Sequence, residues 1–213
     1  MAFPKELLRT ERAALIELLE TLTPAEWATP SLCSGWTVQQ VAAHLAWSNT
    51  LSGRELVPAL VGSRFRINEA NLRLALRWAE RGPAAIIEQH RVNLARDLKP
   101  KGVPGEAPLE DAVVHGIDIR RPLGRSRPIP LNAFTVVARF QLDTRWPVSL
   151  AVGGNVRRRV QGLRLVADDL EWSHGQGAEV HGSAEALLLM LSGRPIRDDE
   201  LTGPGAPELY SRL

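Results

Sequence analysis

The sequence predicts an α+β protein, with a helical part over residues 1–128 followed by a small α/β part over residues 129–213. Three observations carry that expectation. Apolar residues recur at helical spacing from the N-terminus to about Gly124. Helix-start signals of the type Thr-x-x-Glu/Gln stand at Thr23–Glu26 and Thr37–Gln40. Past Arg157 the pattern shortens to alternating β-prone runs, punctuated by Gly162 and Asp168–Asp169, before one more helix. A chain of 213 residues suits one large domain or two small ones.

Taken in order, Pro4 opens a first helix that carries Leu8, Leu15, Leu18, Leu19 and Leu22 on one side. A short turn of helix follows Thr23, and Pro30 to Gly35 reads as a loop in which Gly35 permits a positive-φ turn. A second helix begins near Thr37, with Val38, Val41, Leu45 and Leu51 in helical register. Asn68–Leu98 reads as helix broken at Gly82–Pro83. Lys99–Pro108 is a turn-rich connection. Leu109–Gly124 is a further helix, frayed at Gly116 and ended by Pro122 and Gly124. Ser126–Pro130 breaks the chain before a helix from about Leu131 to Thr144. In the last part Ser183 caps a helix that Gly193 closes.

Bulk composition narrows the function classes. Apolar residues make up 44% and charged residues 23%, and the net charge is only +2, so the chain has core-forming material and no basic stripe for nucleic acid. The one tight basic run, Arg157–Arg159, is expected to be a solvated turn. The N-terminus is charged throughout and no apolar run reaches the roughly 18 residues of a membrane span. A single cysteine, Cys33, forms no internal disulfide and suits a reducing compartment. A soluble cytoplasmic protein with neither nucleic-acid nor membrane partners is expected; no feature specifies an oligomeric state.

Chemistry is suggested at one place. Asp111 and His115 are four apart on one predicted helix, and Asp118 shares their face. Metal sites in helical bundles combine such a pair with a ligand from a facing helix, and His44, bordering the buried stripe of its own helix, is the candidate to face them. Two imidazoles and one carboxylate would leave a zinc ion its fourth position for water or substrate. Asp118 would then act on the reaction by accepting the free N–H of a ligand imidazole. The plainer alternative is that these are packed or surface side chains. His90, among Glu88, Gln89 and Arg91, is expected at the surface; His174 and His181 are expected in a loop or edge strand. Trp27 and Trp36 read as packing residues, Cys33 as a small inert side chain, and Arg120 and Arg121 as surface ion-pair formers.

The segment Leu22–Ala46, LTPAEWATPSLCSGWTVQQVAAHLA, resembles the signature of the mycothiol-dependent maleylpyruvate isomerase family: a tryptophan, a short loop, Gly-Trp-Thr-Val, then a helix with histidine before leucine. Leu109–Gly124 is similar to the second family block, and Gly162–Arg194 with Leu201–Leu209 to the C-terminal ones. The resemblance implies a DinB-like four-helix bundle followed by a small sterol-carrier-like α/β domain. It also implies a divalent metal, zinc above nickel or manganese, held by His, Glu and His, and mycothiol as cosubstrate. His44 falls on the first ligand and His115 on the last. The middle position holds Asp111, one methylene shorter than the family glutamate; the adjacent Glu110 points about 100° away around the helix. The expected function is a metal- and thiol-dependent isomerisation or S-transfer on a small electrophilic or acidic substrate. The alternative is a non-catalytic protein that takes up an apolar small ligand in its C-terminal domain.

Overall fold

The computed structural model describes residues 4–64, 66–100, 103–145, 149 and 153–213. It is an α+β protein that divides into two compact units, Met1–Arg127 and Pro128–Leu213. Part of the connection at Lys99–Pro108 lies outside the described residues.

The first unit is helical. Its frame is a four-helix bundle of α1 (Lys5–Leu19), α3 (Val38–Trp47), α6 (Gly82–Ala95) and α7 (Ala107–Arg120), in which α1 and α3 each pack against both α6 and α7. Helix α2 (Pro24–Ala28) and α3 start where the capping-box spacing predicts. Thr23 Oγ1 accepts from the Glu26 N–H and Thr37 Oγ1 from the Gln40 N–H, and each acid or amide reaches back to the cap. Helix α3 is buried from Val41 to Trp47, because Ala42, Ala43 and Ala46 let neighbouring helices close around it. Two further helices, α4 (Gly53–Gly62) and α5 (Ile67–Ala79), pack on each other, and α5 on α3.

Three expectations are corrected here. The second helix does not run on to Leu51; it ends at Trp47, a 3-10 turn Ser48–Thr50 follows, and α4 begins after a Ser52–Glu55 capping box. Helix α7 passes unbroken through Gly116, since its neighbours bury it on most sides and the missing side chain is space that Arg120 Nη1 approaches. The histidine expected at the surface, His90, is 2% exposed; the 3.6-residue period turns it inward between its charged sequence neighbours.

The second unit holds α8 (Leu131–Asp143), α9 (Val156–Arg159), β1 (Leu163–Ala167), β2 (Ser173–Gly175), β3 (Ala178–Gly182), α10 (Ala184–Leu191), β4 (Leu201–Thr202) and α11 (Ala206–Tyr210). The sheet order is β2-β1-β3-β4, with β1 parallel to β3 and both outer pairs antiparallel. Leu165 pairs with Val180 at its centre, both fully buried. Helix α10, apolar from Leu187 to Leu191, packs against α8 and the sheet and forms the core. The run Arg157–Arg159 is a short helix, not a solvated turn: Arg157 donates to the Leu142 carbonyl, and Arg159 to those of Met190 and Gly153. His174 lies on edge strand β2 and His181 on the inner strand β3.

Candidate metal centre

The site is built on three pieces of the first unit: the loop before α3, the middle of α3, and α7. Loop position is set by backbone hydrogen bonds. The Ser31 N–H donates to the Trp36 carbonyl at 2.8 Å and the Trp36 N–H to Cys33 at 2.9 Å, a turn that requires Gly35 at φ +79°. The Leu32 N–H then donates to the Asp118 carbonyl at 3.2 Å, which ties the loop to α7 and sets Cys33 against that helix. Trp36 meets the His44 ring edge-on at 5.6 Å, and Trp27 is buried in the core beside it.

His44 and His115 face each other from α3 and α7, their rings 5.2 Å apart and nearly perpendicular. The candidate ligand atoms of His44, Asp111 and His115 all lie within 4.8 Å of one another. Asp111 Oδ1 is 4.0 Å from His115 Nε2. A tetrahedral ion with bonds near 2.1 Å would hold its donors about 3.4 Å apart, so small side-chain rotations complete the set. The donor chemistry fits a divalent cation of the zinc class.

Asp118, fully buried, accepts from His115 Nδ1 at 2.8 Å. The carboxylate can only accept, so Nδ1 carries the proton and Nε2 is the atom left to ligate. The same Oδ2 accepts a hydrogen bond from Cys33 Sγ at 3.0 Å, and Sγ lies 3.6 Å from His115 Nδ1. Burial pushes His115 down, but the hydrogen bonds to Asp118 and Cys33 outweigh it and raise the imidazole well above its usual range. Ion binding at Nε2 therefore has to displace a proton, and its affinity rises with pH.

Cys33, His115 and Asp118 also form a ligand-like cluster. Its distances are those of hydrogen bonds with their protons in place, and Asp118 is wholly shielded. The Asp111 side chain is 36% exposed, so the His44–Asp111 side of His115 is open to ions and small molecules. Cys33 is the residue sequence reasoning left out of the site. Its nearness to α7 depends on the Leu32–Asp118 backbone bond between distant segments, for which no spacing signal exists. Arg120 turns to α1 and donates to the Ala14 carbonyl at 2.9 Å instead of pairing at the surface. Glu110 is buried and belongs to neither cluster.

Fold and site together define a helical-bundle protein with a candidate two-histidine, one-carboxylate metal centre, joined to a small α/β unit. Residues 8–99 match the sequence profile of the mycothiol maleylpyruvate isomerase N-terminal domain, a segment that contains His44 and ends before Asp111. A crystal structure of the mycothiol-dependent maleylpyruvate isomerase is similar over 95% of this chain and 92% of that one, at TM-score 0.58 and 17% identity. A histidine-to-alanine mutant of a mycothiol-dependent maleylpyruvate isomerase aligns over the same shares at TM-score 0.59 and 16% identity. No curated protein is significantly similar in sequence. The family resemblance read from the sequence thus holds, in sequence over the N-terminal domain and in fold over nearly the whole chain. Among the described residues no helix is long and apolar enough to cross a membrane.

Proposed function

We propose that this protein is a metal-dependent enzyme that uses mycothiol to isomerise, or transfer sulfur to, a small electrophilic or acidic substrate in the cytoplasm. The observation that carries the reading is the convergence of His44, Asp111 and His115 ligand atoms from two helices, with Asp118 fixing the tautomer of His115. These three residues would hold one divalent ion, zinc by donor chemistry. The bound ion would supply Lewis acidity, lowering the pKa of a thiol or water at its open position. The residues' own tasks follow from the geometry. Asp118 keeps the His115 Nδ1 proton in place and orients the ring; the Cys33 thiol, donating to the same carboxylate oxygen, steadies Asp118; Trp36 packs on His44 and limits its rotation. Asp111 stands in for a glutamate with a shorter reach, within 4.0 Å of His115 Nε2.

Titrating the cobalt-substituted protein with mycothiol tests this. A thiolate-to-cobalt charge-transfer band should appear, and it should be missing in His44→Ala. Cobalt binding with no such band at saturating thiol would leave a metal protein without the proposed cosubstrate.

A further inference from the structure

Helix α1 places Arg12 inside the bundle, 7% exposed. Its Nη2 donates to Asn49 Oδ1 at 2.6 Å, and Asn49 is itself anchored to the Leu45 carbonyl at 2.8 Å. Among the described residues Arg12 forms no ion pair, and the carboxylate that bears on it through space, Asp97, is an exposed group bonded to Lys5 and Arg9. Burial pushes the guanidinium down to about 10, so it stays charged at neutral pH, and its charge helps to hold the buried His90 low. A buried cation whose hydrogen-bond partner is a neutral amide is costly unless something completes it.

What lies beside it is space. Arg12 lines a small, partly open cavity of about 20 Å³ together with Ser48, Asn49 and Asp111. That exceeds the roughly 10–15 Å³ that a single water needs. One of the five guanidinium N–H groups is committed, to Asn49. The cavity therefore joins a buried fork of donors to the carboxylate proposed as the middle metal ligand.

We propose that Arg12 and Asn49 form a carboxylate-binding subsite, which holds one carboxylate of a small organic acid beside the candidate metal centre. The inference rests on the metal reading at one point: with an ion present, the charge of Asp111 is committed to it. Two neutral imidazoles, the Asp111 and Asp118 carboxylates, a divalent ion and Arg12 then sum to a net charge of about +1, still favouring an anion. The planar fork of a guanidinium matches the two oxygens of a carboxylate, whereas the cavity is too small for an apolar body to enter. The rest of the acid would stay at the mouth of the cavity.

The test uses the full chain, zinc-loaded and metal-free, titrated with fluoroacetate and with the neutral analogue fluoroacetamide by ¹⁹F NMR, with zinc content measured separately. The zinc-loaded protein should bind fluoroacetate saturably and the amide at least about tenfold more weakly. Arg12→Met should weaken fluoroacetate binding by about tenfold or more while zinc content stays unchanged; the substitution removes a buried charge and should leave the fold intact. Arg12→Lys, which keeps charge but not the fork, should fall between. Unchanged binding in Arg12→Met, or no saturable binding by wild type, overturns the subsite. If the wild type retains no zinc but binds fluoroacetate in an Arg12-dependent way, the metal reading fails and the subsite stands.

Discussion

The two units treat buried polarity in opposite ways. Among the described residues the first unit buries Glu11, Arg12, His44, Ser63, His90, Asn93, Glu110 and Asp118; the second buries Gln141 and Ser192, joined by a 2.7 Å hydrogen bond. Its core is otherwise aliphatic, centred on Leu163, Leu165, Val180 and Leu187–Leu191. Every buried ionisable group costs desolvation energy, so a bundle that collects six of them is held to a task that an apolar core would not need. Some of that polarity is structural. His90 Nε2 meets the Ala42 carbonyl at 3.0 Å in the middle of α3, and Asn93 Nδ2 donates at 2.6 Å to the Ala46 carbonyl in its last turn, where carbonyls lack intrahelical partners; together they lock α6 to α3. Glu11 is closed by an ion pair with Arg127. His44 and Asp118, with the partly exposed His115 and Asp111, form the candidate metal centre, and Arg12 lies in the same bundle.

This contrast can be broken, beginning with its largest expected effect. His44→Ala should lower divalent-metal affinity by more than about 100-fold, beyond the 10–100-fold of an outer-shell change, with the far-ultraviolet circular dichroism preserved. Competition with a chromophoric chelator measures it. A loss of fold of about 1–3 kcal/mol with unchanged metal affinity would make His44 a packing residue.

Acid stability comes next. Burial pushes His90 down to about 4 from its ordinary 6.5. Between those values the unfolded chain binds a proton that the folded chain refuses, so stability is complete above about pH 6.5 and is lost as pH falls towards 4. At about 1.4 kcal/mol per unit, the loss reaches about 3 kcal/mol. Urea unfolding of wild type and His90→Gln across this window should show a slope that the variant lacks; parallel curves would refute the assignment.

Asp118→Asn should reduce metal affinity about 10–100-fold, because an amide at this position can donate to Nδ1 and favour the wrong imidazole tautomer. The smallest effect belongs to the second unit. Ser192→Ala removes the acceptor of Gln141 Nε2 and should cost about 1 kcal/mol in global stability, with metal affinity unmoved. A change in metal affinity from Ser192→Ala would erase the contrast between the units.

Much of the first unit was legible because its signals are local. The Thr23 and Thr37 capping boxes, the Gly35 turn and the apolar period of α1 each act within a few residues. The same chemistry marks α4 at Ser52–Glu55, where Leu56, Ala59 and Leu60 are half-buried at helical spacing, but the exposed Val57 and Val61 and the internal Pro58 blur that period in the sequence. His90 was misplaced because charged sequence neighbours do not fix which side of a helix a residue takes. For the site, the i,i+4 spacing of Asp111 and His115 is readable, and His44, beside the buried stripe of its own helix, is a candidate to face them that the family resemblance strengthens. Cys33 and Arg12 were missed for one reason. Each acquires its surroundings through packing of segments far apart in sequence, α1 on the end of α3 and the α3 entry loop on α7.

The account turns on one ion held by side chains of α3 and α7. Zinc K-edge X-ray absorption of the metal-supplemented full chain, without added thiol and with the zinc-to-protein ratio measured, tests it most directly. The predicted result is one zinc per chain in a nitrogen and oxygen shell at about 2.0–2.2 Å, with the scattering of two imidazoles. A chain that retains no metal, or a sulfur neighbour at about 2.3 Å that moves the ion onto Cys33, would contradict it.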